Sequence, residues 1–209
     1  PSISSAASDV YKRQFLHNSL IMAITLNGST GAATGIQSLP SMNAENKVLQ
    51  IVNATQGDIT SVDISVANNW YNVPGMSASI TTTGTNKVII DCILKTSWYD
   101  GYHYGPRIIR TTGGVQNNLV GVVNGNKGTN NLYKESFTHF YTMPSNGQYT
   151  LDTAVCMALD NPGAGTHTYQ VQLGSYLTSV IWVNRTREGT NATYNGTGIS
   201  TIRLMEVVA

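Results

Sequence analysis

From Lys87 to Trp98 the chain alternates with a period of two. Val88, Ile90, Cys92, Leu94, Thr96 and Trp98 fall on one face, and Asp91 and Lys95 fall on the other. This is the pattern of a half-buried β-strand, because successive side chains of a strand point to opposite faces, whereas a helix repeats its apolar positions every three to four residues. The run is about twice the usual strand length of ~6 residues. It should therefore pass through the middle of a sheet.

The same period recurs along the chain. Val48 to Ala54, Ile59 to Val66 and Asn72 to Thr82 read as strands, the last with Pro74-Gly75 marking a bend or bulge near its start. Pro106 to Thr111 and Val115 to Val123 flank Thr112-Gly113-Gly114, a hairpin signal. Phe137 to Met143 alternates again. In the next segment Leu151, Thr153, Val155, Met157 and Leu159 are expected to form an inward row, which would turn Cys156 away from Cys92. Asn161-Pro162-Gly163-Ala164-Gly165 breaks the chain before Tyr169 to Leu173, Ser179 to Asn184 and Ile199 to Val208. Roughly ten short strands with closely spaced turn signals indicate an all-β chain, an antiparallel β-sandwich of jelly-roll type.

Composition agrees and excludes other classes. Only 11% of the 209 residues are charged, against a usual ~25%. A hydrophobic content of 41% is nevertheless enough for a core. The net charge of +1 argues against a nucleic-acid surface, which needs a clustered basic face. No apolar run approaches the ~18 residues of a membrane-spanning helix, so membrane insertion is not expected. The two cysteines, Cys92 and Cys156, are too few for a disulfide framework or a structural zinc site, and both are expected to be free thiols.

Three regions follow from these patterns. Residues 1–21 are expected to be a non-native or disordered leader, since Pro1 to Gln14 has no clear period and resembles translated adapter read-through, with the true start expected at Met22; the alternative is a genuine flexible leader. Residues 22–46, rich in Gly and Thr, are expected to be an extended N-terminal arm that is ordered by docking on a partner. Residues 47–209 are the sandwich.

Catalytic signatures are missing from the sequence. There is no Gly-x-Ser-x-Gly elbow, no phosphate loop and no His-x-x-x-His or His-Glu pair among His17, His103, His139 and His167. The chain is therefore expected to have no metal, no cofactor and no enzymatic activity. A glycosidase would need two acids ~5–9.5 Å apart. The acids available are Asp91, Asp100, Asp152 and Asp160; Asp91 and Asp152 are expected opposite the apolar rows, and Asp160 beside a turn.

Two loops carry the remaining interest. Trp98-Tyr99-Asp100-Gly101-Tyr102-His103-Tyr104-Gly105-Pro106 crowds aromatics into a glycine-bearing segment. Aromatic faces with polar tips suit recognition surfaces. Trp98, Tyr99, Asp100, Tyr102, His103 and Tyr104 are thus the expected ligand-binding residues, stacking on a sugar face while Asp100 and His103 bond its hydroxyls. The alternative at the same residues is that Trp98 ends the core strand and the tyrosines cover the end of the sandwich or meet a neighbouring subunit. Asn184 to Gly198 is a long polar loop with sequons at Asn184, Asn191 and Asn195; with so much Asn and Thr, chance sequons are expected, and glycosylation is not.

A family resemblance adds a setting. Met22-Ala23-Ile24-Thr25-Leu26-Asn27-Gly28-Ser29-Thr30-Gly31 resembles the opening of tail-fibre-like virion proteins of tailed bacteriophages, the type met in aquatic metagenomes. Val73 to Thr81 followed by Lys87-Val88-Ile89-Ile90 is similar to that family's central strand pair, and Tyr169 through Asn184-Arg185 to Val207 to its C-terminal end. The resemblance implies a virion structural protein on the particle surface that assembles into a homotrimer. It also implies contact with other virion proteins through residues 22–46 and attachment to a host-surface glycan. The alternative is a lectin-like, carbohydrate-binding module of a secreted cellular protein, which would be a monomer. A third option, a capsule-degrading hydrolase, requires an acid pair.

Overall fold

The computed structural model describes residues 25–26, 33–34, 47–98, 103–120, 135–138, 140–141, 150–187 and 196–209. The chain divides into two units, Pro1–Ala44 and Glu45–Ala209. Of the first, β1 (Thr25–Leu26) and β2 (Ala33–Thr34) are described, an antiparallel pair that matches Thr25 with Thr34 and Leu26 with Ala33. The rest of the expected leader and arm lies outside the described residues.

Among the described residues the second unit holds eleven further strands: β3 (Val48–Gln56), β4 (Thr60–Ile64), β5 (Trp70–Thr82), β6 (Lys87–Ser97), β7 (His103–Thr112), β8 (Val115–Val120), β9 (Phe140–Tyr141), β10 (Asp152–Asp160), β11 (Gly165–Ser175), β12 (Ser179–Val183) and β13 (Ser200–Val207). All pairings are antiparallel. The first sheet runs β3-β13-β6-β10, with β12 and β4 continuing it beside the end of β6; the second runs β5-β11-β7-β8, with β9 on β7. The eight long strands β3, β5, β6, β7, β8, β10, β11 and β13 are therefore shared between two sheets in a jelly-roll order, the chain crossing from one sheet to the other at every step except the β7–β8 hairpin.

As the alternation requires, β6 lies inside its sheet. Val88, Ile90, Cys92, Leu94 and Trp98 are fully buried in one core with Met76 and Ile80 of β5, Ile108 of β7, and Tyr169, Val171 and Leu173 of β11. Each large apolar side chain so buried contributes roughly 1.5–3 kcal/mol. The turn chemistry also holds. Gly113 and Gly114 sit at φ 59° and 81°, the left-handed pair that a two-residue hairpin between β7 and β8 needs. The bulge at Pro74-Gly75 shows as a register shift between Gln170 and Gln172 on the facing strand. There the Gln170 side-chain amide donates to the carbonyls of Val73 (3.0 Å) and Met76 (3.2 Å). Of the strand expected over 137–143, Phe140–Tyr141 pairs with β7; His139, Thr142 and Met143 lie outside the described residues.

One expectation is reversed. In β10 the inward residues are Ala154 and Cys156, while Val155, Met157 and Leu159 are 58%, 79% and 61% exposed. Cys156 stands directly opposite Cys92 and shares its buried face. The acids at the two ends of the strand account for the phase. Asp152, Ala154, Cys156, Ala158 and Asp160 share one parity, and both acids are held from inside the sandwich. Tyr104 Oη donates to Asp152 (2.8 Å), and Tyr169 Oη donates to Asp160 (2.8 Å), which also pairs with Arg110. Turning the strand over would bury Met157 but would strand these buried donors, at a cost of about 1–3 kcal/mol for each neutral group and more for the arginine.

Candidate functional site

The aromatic segment at the end of β6 is a structural cluster where it is described. Trp98 and Tyr104 are fully buried, edge to face with ring centroids 5.1 Å apart and planes at 71°. Tyr104 also stacks on Phe140 at 5.0 Å. The indole N–H of Trp98 donates to Ser179 Oγ. Tyr104 Oη lies 3.1 Å from Thr96 Oγ1, and burial together with the nearby Asp152 carboxylate pushes the phenol pKa well above its ordinary value. Neither ring offers a face to a sugar. Trp98 and Tyr104 therefore leave the expected ligand-binding set, because both are needed to close the end of the core. His103 is half-buried, and its carbonyl accepts from the Tyr176 N–H (2.9 Å). Tyr99, Asp100 and Tyr102 lie outside the described residues.

Of the acids considered for hydrolysis, Asp100 lies outside the described residues. Asp152 and Asp160 are separated by eight residues of strand, roughly 26 Å at about 3.3 Å per residue, far beyond the ~5–9.5 Å of a glycosidase pair. Asp160 accepts from the Asn161 N–H (2.9 Å), the local turn bond expected of it. Asp91 is on the outer face, paired with Arg203 at 3.5 Å. His167 is buried and engaged: its Nε2–H donates to the Gly163 carbonyl (3.1 Å), and Nδ1 pairs with the Thr112 hydroxyl (2.8 Å). Among the described residues no group of three His, Cys, Asp or Glu side chains is arranged to hold a metal.

The base of the polar loop after β12 is an ordered node. Asn184 is fully buried in the left-handed conformation, φ 63°. Its side-chain amide donates to the carbonyls of Gln56 (2.6 Å) and Asp58 (3.0 Å), and its oxygen accepts from Ser200 Oγ (2.6 Å). Its N–H donates to the Lys95 carbonyl (3.0 Å), and its carbonyl accepts from Gly198 (3.0 Å). One residue thereby joins β6, β12, the β3–β4 turn and the start of β13. Its burial leaves that sequon no room for a glycan. Asn191 and Asn195 lie outside the described residues.

The feature that sequence reasoning missed is the outer surface of the first sheet. Register aligns Ile51, Met205, Ile89 and Leu159 in one row across β3, β13, β6 and β10. The next row is Asn53, Arg203, Asp91 and Met157; the one after is Thr55, Thr201, Ile93 and Val155. Ile51 is 56% exposed and Met157 79%. A shallow depression of about 340 Å³ lies on the β3–β13 half, lined by Ile51, Asn53, Thr55, Thr201 and Arg203. The β5–β11 part of the opposite outer surface is hydroxylic instead. Ser79 bonds Thr168 (2.8 Å) and Thr81 bonds Thr166 (2.9 Å), and Gln172 donates to Asn72 (2.8 Å) beside an Arg107 guanidinium stacked on Trp70. The signal for the apolar surface was in the sequence: a large apolar row that shares no parity with the strand's two terminal acids.

The described residues of the second unit thus form an antiparallel two-sheet sandwich in jelly-roll order, with exposed apolar side chains on the outer side of β10 and hydroxyl-bearing side chains on that of β5 and β11. No protein-family model matches the chain, and no curated protein matches it. Among solved structures it is similar to Eiger TNF from S. frugiperda, at 8% identity and a TM-score of 0.40, over 76% of this chain and 93% of that one. The Gt strain of infectious bursal disease virus gives 15% identity and a TM-score of 0.28, and the VP2 subviral particle of that virus 13% and 0.28; both cover 89% of this chain and 46% of theirs. The chain spans under half the length of those viral chains. Likenesses this low assign neither a family nor a function.

Proposed function

We propose that this chain is a non-enzymatic structural protein of a phage particle, a tail fibre or related surface appendage, that works as a homo-oligomer. The observation that supports assembly is the row of exposed apolar side chains on β10, Val155, Met157 and Leu159. Monomeric proteins seldom leave a contiguous apolar patch beyond ~300–600 Å² in water, and larger ones mark interaction surfaces. The virion setting rests on the resemblance of residues 22–31, 73–90 and 169–207, and residues 22–46 are the segment expected to contact other virion proteins. Weak contacts repeated on one particle gain avidity through effective concentration, which suits host attachment. With Trp98 and Tyr104 in the core, glycan capture at the aromatic loop falls to Tyr99, Asp100, Tyr102 and His103.

The test is the absolute mass of the whole chain in solution by light scattering over a range of concentrations. A homotrimer is expected, three times the 22.5 kDa chain mass. A monomer at all concentrations would overturn the proposal and favour the lectin-like module.

A further inference from the structure

We infer that Cys92 and Cys156 form a redox site, at which a small-molecule disulfide oxidises the pair to a cross-strand disulfide that fastens the edge strand β10 to β6. The site acts within one chain and does not depend on assembly.

Register is the first support. Cys156 and Cys92 are the fifth of nine matched pairs between β10 and β6, directly opposite each other and both buried as free thiols. The Lys95 N–H donates to Ser200 Oγ (2.9 Å), and the Lys95 carbonyl accepts from the Asn184 N–H (3.0 Å). Lys95 therefore turns its backbone groups away from β10, and Cys92, three residues earlier on the strand, turns its own toward β10. Cys92 and Cys156 are thus a hydrogen-bonded pair, with Cα atoms about 5.5 Å apart. Disulfides span about 4.4–6.8 Å between Cα atoms, and residues on one face of a sheet aim their Cβ bonds the same way. The Cβ atoms of such a pair stand up to ~5.5 Å apart, against ~3.8 Å in a relaxed disulfide, so the strands draw together on closure and the bond is readily reduced. Ala154 and Ala158 flank Cys156 on its own face, so no bulky side chain of β10 blocks the approach.

Burial sets the order of events. Among the described residues β10 pairs with β6 alone, so it is an edge strand, open to local fraying. Burial pushes the Cys156 thiol up to about 11, and burial together with the neighbouring Cys156 pushes Cys92 further. Cys156, 5% exposed against 0% for Cys92, therefore attacks first. Its thiolate displaces one small thiol from the oxidant and forms a mixed disulfide. The Cys92 sulfur then attacks the Cys156 sulfur and releases the second small thiol. The oxidant's S–S bond is broken and the Cys92–Cys156 bond is made; the two electrons and two protons lost by the cysteines leave on the two small thiols. The pair stays open in a reducing cell interior and closes in an oxidising exterior.

The experiment equilibrates the whole chain in mixtures of reduced and oxidised glutathione, with and without urea, starting from both the reduced and the oxidised chain. After acid quenching, mass spectrometry counts the chains that have lost two hydrogens. At one glutathione composition the ratio of cross-linked to open chains is expected to be at least about tenfold higher in the folded than in the unfolded chain, since a disulfide that suits a fold stabilises it. A peptide map should join the Cys92 and Cys156 peptides within one chain, and excess dithiothreitol should part them. A smaller ratio, glutathione held on Cys156 in place of the cross-link, or a bond between two chains would overturn the redox site. Hydrogen exchange reads the fastening. The amides of Ala154 and Ala158, which point at β6, should exchange at least about tenfold more slowly in the oxidised than in the reduced chain. Cys156→Ser should keep the reduced chain's rates in both mixtures. Equal rates in the oxidised and reduced parent would refute the fastening of β10.

Discussion

Replacing Asn184 by alanine tests whether one buried amide holds the end of the sandwich together. The substitution removes three side-chain hydrogen bonds, two donated to the Gln56 and Asp58 carbonyls and one accepted from Ser200. Each is worth about 1 kcal/mol net, and the fully buried Ser200 hydroxyl left without its acceptor adds ~1 kcal/mol or more. Alanine must also hold φ 63°, which costs an L-residue roughly 1–2 kcal/mol where asparagine tolerates it better. The total is about 4–6 kcal/mol, a large part of the ~5–15 kcal/mol that stabilises an ordinary domain. Asn184→Gly loses the same bonds without the conformational penalty, so it should be milder by about 1 kcal/mol. Urea unfolding followed by tryptophan fluorescence measures both. With a slope near ~2 kcal/mol/M, the alanine midpoint should fall by roughly 2–3 M, or the chain should be unfolded without urea. A loss under ~1 kcal/mol in the alanine variant would refute the node. Equal losses for alanine and glycine would show that the left-handed backbone carries no cost there.

The remaining predictions concern single groups. Burial pushes the Glu206 carboxyl up, but the donors Gln50, Asn86 and the Thr83 N–H outweigh it and hold its pKa below the ordinary 4.5. Its stabilisation is thus complete above the unfolded pKa and is lost as pH falls through the folded value. Unfolding midpoints should drop below about pH 4, and Glu206→Gln should flatten that limb at a lower overall stability; an unchanged acid limb would count against it. A Cβ at Gly105 would meet Ser136 Oγ and the Thr138 carbonyl, each at 2.6 Å, so Gly105→Ala should lower the melting temperature through overpacking of ~1–3 kcal/mol. Cys92 and Cys156 are buried free thiols, and burial pushes Cys156 up to about 11 and Cys92 further. A thiol-specific chromophoric reagent at pH 8 should therefore label neither until denaturant is added, since the thiolate is the reactive form. Rapid labelling of the native chain would disprove the buried assignment.

What the sequence determined by itself was the local chemistry. Strict alternation over Lys87–Trp98 dictated a strand with one buried face, since a period of two has only one way to bury six such residues. Gly113-Gly114 dictated a hairpin because both positions need positive φ, and Pro74-Gly75 marked the bulge. In β10 the sequence was ambiguous. Val155, Met157 and Leu159 on one parity and Ala154, Cys156 and Ala158 on the other are both apolar, and size alone favours burying the larger set. Only the tertiary structure chose, because the buried phenols of Tyr104 and Tyr169 and the Arg110 guanidinium lie where Asp152 and Asp160 must point inward. The same long-range pairing drew Trp98 and Tyr104 out of the expected ligand site into the core. It also set Ile51, Met205, Ile89 and Leu159 side by side from four separate segments. Periodicity reports which residues share a face of one strand. Which face meets the core depends on hydrogen-bond partners up to about a hundred and fifty residues away, as with Gln50 and Glu206, and those partners come together only when the chain is folded.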